Sequence, residues 1–159
     1  MYPGRISAAC AAHARRNFEE LTKDGTSPIG LDALRRFARI YEIEGELKGL
    51  SDDERRAHRQ RLAKPLWHEM RQWLELEQRV VADGSATAKA IGYTLVHWAA
   101  LTRHLEDGAV ALDNNHLERQ IKPWAMGRRA WQFVGSKLAG QRAAIIMSLV
   151  QSARLNGHD

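Results

Sequence analysis

The sequence predicts a mainly α fold with one to three short strands. Two observations carry this. Apolar residues recur at three- and four-residue steps through several long segments, the period of a helix with one buried face. Strand character is confined to three brief stretches, Arg5–Ala9, Val110–Leu112 and Gln132–Val134. At 159 residues, with 44% hydrophobic and 27% charged residues, the chain is long enough to bury a core as one globular domain.

The elements follow in order. Ala11–Thr22 has helical composition, and Gly25-Thr26-Ser27-Pro28 breaks it. Ser27 as N-cap with Pro28 at the first helical position starts the next helix, because proline lacks only an amide that has no partner there. Leu34, Phe37, Ala38 and Tyr41 form its apolar face, and Gly49-Leu50 ends it. Ser51-Asp52-Asp53-Glu54 reads as a capping box opening a helix that is polar through Lys64, with Arg55, Arg56, Arg59 and Arg61 on a solvated face. Pro65 kinks or restarts that helix, and Leu66, Met70, Trp73 and Leu74 then make a stripe continued by Val80 and Val81. Ser85 caps a further helix with Ala88, Ile91, Leu95, Trp98, Thr102 and Leu105 on one face. A short helix interrupted at Pro123 follows the Asp113 turn. Ser136 or Gly140 opens a last helix with Ala143, Ile146, Met147 and Val150 inward and a stop at Asn156-Gly157.

Charge is distributed unevenly. Residues 1–118 hold 17 Lys/Arg against 18 Asp/Glu, and residues 119–159 hold 7 against 1. The basic tail follows directly on Asp113-Asn114-Asn115-His116-Leu117-Glu118-Arg119. Carboxylate oxygens ahead of a cationic, aromatic-bearing segment suit phosphodiester chemistry, since a divalent ion needs oxygen ligands and the backbone needs cations. Arg119, Lys122, Arg128, Arg129 and Lys137 are the candidate phosphate contacts there, with Trp131 as a stacking ring or a core aromatic. His13, Arg15 and Arg16 form a second basic group at a helix start, which also reads as a solvated face. Glu118 has a structural alternative as well: Asn115-x-x-Glu118 has capping-box spacing. Asp113 and Glu118 lie about 140° apart on a regular helix, so both reach one ion only if Asp113 sits in the preceding loop.

Several classes are set aside. One cysteine allows no internal disulfide and fits a reducing, cytoplasmic setting. The longest apolar stretch, around Ala143–Val150, is far short of the roughly 20 residues that span a bilayer. No His/Cys pair has zinc spacing, and no phosphate-cradling glycine loop or nucleophilic Ser or Cys constellation occurs.

The Asp-Asn-Asn-x-x-Glu-Arg run at Asp113–Arg119, then Pro123, Gly127-Arg128-Arg129-x-Trp131-x-Phe133 and Gly135-Ser136, resembles the C-terminal part of insertion sequence 66 family transposases. Cys10-Ala11-Ala12-His13-Ala14-Arg15-Arg16-Asn17-Phe18 resembles that family's Cys-His-Arg-Arg element, with Ala11 where a Trp is usual. Ser148-Leu149 and Ala153–Gly157 resemble its closing helix, and Arg129-Ala130 stands where the family has Lys-Asn. The resemblance implies the distal part of a ribonuclease-H-like α/β domain, 1–159, with a helical insertion at 28–107 and the glutamate-bearing helix and basic segment at 108–159. It implies DNA cleavage and strand transfer around Mg2+ or Mn2+, held by two aspartates and one glutamate. Glu118 takes the place of that glutamate and Asp113 is a candidate additional ligand. The family's Asp-Glu-Thr and Asp-Gly-Tyr elements do not occur in these residues. The expectation is a chain inactive alone that does not hold the metal tightly. Its expected partners are DNA and a second copy or the upstream transposase portion. A non-catalytic DNA-binding remnant and a helical interaction module are the alternative readings.

Overall fold

The computed structural model describes residues 7–23, 27–131 and 135–158, without the side chains of Trp124 and residues 128–131. The chain divides into two compact units, Met1–Asn114 and Asn115–Asp159.

The first unit is a helical bundle. Its elements are α1 (Ala11–Glu20), α2 (Pro28–Glu46), α3 (Asp52–His58), a π-helical stretch (Arg59–Ala63), α4 (Lys64–Glu77), α5 (Ala86–Val96), α6 (Trp98–Leu101) and a 3-10 turn (Arg103–Leu105). Local chemistry sets most of these boundaries. The Ser27 hydroxyl accepts the Gly30 amide at 3.1 Å, with Pro28 in the first turn of α2. The Ser51–Glu54 box is complete, and the Ser85 hydroxyl accepts from Ala88 at 3.0 Å. Gly49, at φ 85°, takes the left-handed conformation that ends the α2 region. Pro65 follows the π-helical stretch without a break in the helical backbone, so the helix is not restarted there. The wider π-helical turn lies just ahead of the position where proline lacks an amide donor.

Packing centres on a chain of rings. Phe18 of α1 lies 6.2 Å from Phe37 of α2, which meets Trp67 of α4 edge-on at 6.1 Å. Trp67 in turn contacts Trp98 at 5.3 Å and His104 at 5.6 Å. Ala33, Ile40, Met70, Leu74, Ile91 and Leu101 close the core around them. Alanines Ala11, Ala14 and Ala33 are fully buried, as close helix approach requires.

Arg59 departs from the solvated face expected of it. It is 1% exposed, and its guanidinium is shared among five partners. It forms a two-point pair with the Glu44 carboxylate, and Nη1 donates to the carbonyls of His104 (2.9 Å), Asp107 (3.2 Å), Gly108 (3.3 Å) and Val110 (2.9 Å). Arg55 adds a bond to the Gly108 carbonyl at 2.9 Å, and Gln60 Nε2 donates to Leu105 O at 2.9 Å. The irregular segment 104–112 is thereby tied to α2, α3 and the π-helical stretch. At Gly108 a Cβ would stand 1.8 Å from the Asp52 carbonyl oxygen, so only glycine fits.

That arrangement explains why the expected strands do not form. No strand occurs among the described residues, so the ribonuclease-H-like α/β sheet is not the architecture seen; the described residues fold as helices and connections. At Val110–Leu112 the Val110 carbonyl goes to Arg59 and the Leu112 carbonyl accepts the Ala11 amide at 3.1 Å, leaving no sheet ladder. Residues 7–10 belong to no strand, with Cys10 extended and Ala9 N–H reaching the Ala100 carbonyl at 3.0 Å. The rest of the Arg5–Ala9 expectation, and Gln132–Val134, lie outside the described residues. The single helix expected after Ser85 is broken at His97 and Thr102, which divide it into α5, α6 and the 3-10 turn.

The second unit holds α7 (Asn115–Trp131) and α8 (Lys137–Leu155). Pro123 lies inside α7 and does not end it. Ser136 caps α8 through the Ala139 amide at 3.1 Å, and Gly157 at φ 77° follows its end. Contrary to the inward face expected of Ala143, Ile146, Met147 and Val150, no residue of α8 is buried, and Ile146 is 61% exposed.

Two predictions follow from the core. Arg59→Met leaves the Glu44 carboxylate and the carbonyls of His104 and Val110 without the Arg59 donor. The cost should be about 3–5 kcal/mol, read as a fall in the urea midpoint of the helical unit. Burial pushes the His104 imidazole from 6.5 down to about 4, while Nδ1 donates to Leu101 O at 2.9 Å and the nearby Arg59 charge lowers it further. The unfolded chain therefore takes up a proton between pH 6.5 and about 4 that the folded chain refuses, so stability falls as pH drops through that window. The loss should total about 3 kcal/mol and level off at lower pH, and His104→Asn should remove it from the pH dependence of the melting midpoint.

Candidate functional site

The Asp113 turn is held by the helical unit. Tyr41 Oη donates to Asp113 Oδ2 at 2.9 Å. Burial, then the hydrogen bond to Asp113 and its negative charge, hold the Tyr41 proton on well above the ordinary phenol range. The Asn114 amide donates to Cys10 Sγ at 3.4 Å, and its carboxamide oxygen is buried without a partner among the described residues. Beside the turn lies a depression of about 300 Å³ lined by Tyr41, Glu44, Gly45, Lys48, Leu112 and Asp113 among others.

Glu118 belongs to the second unit. Asn115 is the first helical residue of α7, and Glu118 lies in its first turn, where the unpaired amides of the helix start favour a negative charge. A depression of about 610 Å³ runs along α7, lined by Asn115, Glu118, Arg119, Ile121, Lys122 and Ala125. Three of the residues singled out from sequence thus share one surface. Lys122 stands one turn beyond Glu118, and Arg119 Nε turns back to the Asn115 carbonyl at 3.2 Å. Arg128, Arg129 and Trp131 continue the same helix to its end. Their side chains lie outside those described. Lys137 is exposed at the first position of α8.

The other predicted basic group sits on α1 of the first unit. His13 is half-buried, Arg16 is exposed, and Arg15 faces Glu19 at 3.6 Å in an exposed pair that contributes little. Asp113 and Glu118, five residues apart, fall in different units.

Among the described residues no group of three or more His, Cys, Asp or Glu could hold a metal ion. The described lining of the α7 depression sets the Glu118 carboxylate beside two cations. That donor set does not fit a pair of divalent ions, which needs several carboxylate oxygens at fixed separation. It fits an anion such as a phosphate group better. The second unit as a whole carries 7 Lys/Arg against 2 Asp/Glu, while the first carries 17 of each. The chain's excess of +5 therefore resides entirely in residues 115–159.

Sequence reasoning missed Tyr41 as a partner of the turn and Arg59 as a partner of the connection leading to it. Tyr41 sat within an apolar stripe, and nothing local marks a hydroxyl that will bond a carboxylate 72 positions on.

No helix among the described residues is long and apolar enough to cross a membrane. No solved structure matches the chain. Two uncharacterized proteins of Sinorhizobium fredii (strain NBRC 101917 / NGR234), y4hP and y4jD, are each 38% identical over 96% of this chain, and a third, y4qI, is 33% identical over the same share. The chain spans about 30% of the length of the first two and 28% of the third. The family profile described as Transposase IS66 family matches residues 2–142. With that match over most of its length, the chain belongs to the IS66 family of transposases.

Proposed function

We propose that these residues form the distal part of a DNA-transposing enzyme, contributing Glu118 as one catalytic carboxylate and a cationic helix surface that grips the DNA backbone. The observation that carries this reading is the shared depression on α7, where Glu118 stands with Arg119 and Lys122. Arg128, Arg129 and Lys137 extend the positive charge, and His13, Arg15 and Arg16 add a second contact group on α1. Cutting and joining by divalent ions requires more carboxylates than this surface presents, so the 159 residues bind DNA without cleaving it.

The test is fluorescence anisotropy with labelled duplex DNA. Affinity should fall as salt rises, with a log–log slope near −0.9 per phosphate contact, about −4 for four to five contacts. Arg128→Gln with Arg129→Gln should weaken binding and flatten that slope by roughly 2, whereas Glu118→Gln should leave affinity unchanged or raise it. Salt-insensitive or absent binding would refute the reading. So would metal-dependent nicking by the purified chain that disappears in Glu118→Gln, as far as its inactivity alone is concerned.

A second reading is favoured by the exposed apolar residues of the C-terminal unit. Leu138, Ile145, Leu149 and Leu155 of α8 are each more than half exposed, as are Leu117 and Met126 of α7. Water-exposed aliphatic faces on this scale call for a covering surface, either a second copy or the upstream portion of a family-length transposase. Light scattering should show a dimer or larger species at micromolar concentration, and Ile145→Glu with Leu149→Glu should return it to monomer without loss of helix by circular dichroism.

A further inference from the structure

Both ends of the helical unit meet at one point. The chain enters at Cys10–Ala11 and leaves at Leu112–Asn114, and these segments are bonded to each other. Ala11 N–H donates to the Leu112 carbonyl at 3.1 Å, and Asn114 N–H donates to Cys10 Sγ at 3.4 Å. Ala9 is held just before this point by the Ala100 carbonyl at 3.0 Å. The connection that returns to this neck is irregular from Glu106 onward, and the Arg59 guanidinium fixes it only as far as Val110. Between those two backbone contacts, the exit is held by the half-buried side-chain bond from Tyr41 Oη to Asp113 at 2.9 Å.

We propose that Tyr41 and Asp113 clamp this neck shut, so that Tyr41 is a positioning residue: it sets where the chain leaves the helical unit, immediately ahead of the helix bearing Glu118. The inference rests on Glu118 being the functional carboxylate, but the clamp itself does not depend on DNA binding. It gives Asp113 a different task from metal ligation. A carboxylate that accepts a phenol hydrogen bond in a half-buried setting has given up part of its capacity to bind a cation. The Arg15 and Cys10 side chains lie near enough to act on the Tyr41 hydroxyl, and Glu44 and Lys48 share the depression beside it. The clamp thus sits in a surround where both signs of charge are present, and neutralising Asp113 by amide substitution need not break it. It also explains how a unit of this size is carried on two adjoining chain segments. Ends pinned together let such a unit be inserted into a larger chain without distorting what flanks it.

The experiment is hydrogen exchange by mass spectrometry on the full 159-residue chain, with a thermal melt of each variant. Tyr41→Phe removes only the hydroxyl. It should raise exchange roughly tenfold in peptides covering 9–14 and 111–116, while peptides covering the α4 core at 66–74 keep their protection. Asp113→Ala should behave alike. Asp113→Asn, whose amide oxygen still accepts from Tyr41, should retain protection close to the parent chain. Unchanged exchange in Tyr41→Phe would overturn the proposal, as would a uniform rise across the core helices, which signals general destabilisation. Asp113→Asn exchanging as fast as Asp113→Ala would also overturn it. A Mn2+ titration followed by electron paramagnetic resonance tests the rival role: Mn2+ bound by the parent chain and lost in Asp113→Asn would make Asp113 a ligand and not a clamp. Loss of DNA binding with an intact exchange pattern would instead refute the function of the α7 surface and leave the clamp standing.

Discussion

One buried cation organises the helical unit. Past the 3-10 turn the segment from Glu106 to Val110 leaves helical geometry, so its carbonyls and that of His104 lose the partners a continuing helix would give them. Buried carbonyls without donors are costly, and a single planar guanidinium supplies donors to four of them. The same group would be untenable in that position without the Glu44 carboxylate against it. Arg59, Glu44 and the irregular connection are therefore mutually dependent, and the π-helical stretch that begins at Arg59 places the guanidinium where it can serve both. A lysine could not substitute, because one ammonium cannot present a flat fork to a carboxylate and several carbonyls at once.

What could be read from sequence was local, and what could not be read was long-range. Ser27-Pro28, the Ser51–Glu54 box, Ser85 and Ser136 mark helix starts because the bond that stops or starts a helix spans only three residues. Arg59 gave no such signal. It stands among Arg55, Arg56 and Arg61 in a polar stretch, and its burial follows from partners 15 and about 50 positions away. The strand expected at Val110–Leu112 failed for a related reason: β-branched and aliphatic residues supply only a preference, and the acceptors there were taken by the Arg59 side chain and the Ala11 backbone amide. Pro123 misled in the other direction, since α7 carries it without ending. Within the candidate site, Glu118, Arg119 and Lys122 were legible because they lie within one helical turn or so of each other. The Tyr41–Asp113 contact was not.

The two units use their apolar residues differently. In the first, Phe18, Phe37, Trp67 and Met70 are withdrawn from water almost completely. In the second, helices of comparable length leave Leu138, Ile145 and Leu149 largely in solvent and concentrate all of the chain's excess positive charge. Two helices in 45 residues cannot enclose a core of their own.

Asp113 and Glu118 show how little sequence proximity says about shared chemistry. A helix start lies between them, and it separates a carboxylate tied down by a phenol from one facing a cationic depression. The first carboxylate is engaged with the Tyr41 hydroxyl, beside the backbone bonds that Leu112 and Asn114 make to the Cys10–Ala11 segment. The second is useful only if a reacting group can approach it. An acidic residue engaged in fixing a backbone turn is poorly placed to exchange ligands with a divalent ion, because each new metal bond would loosen the turn.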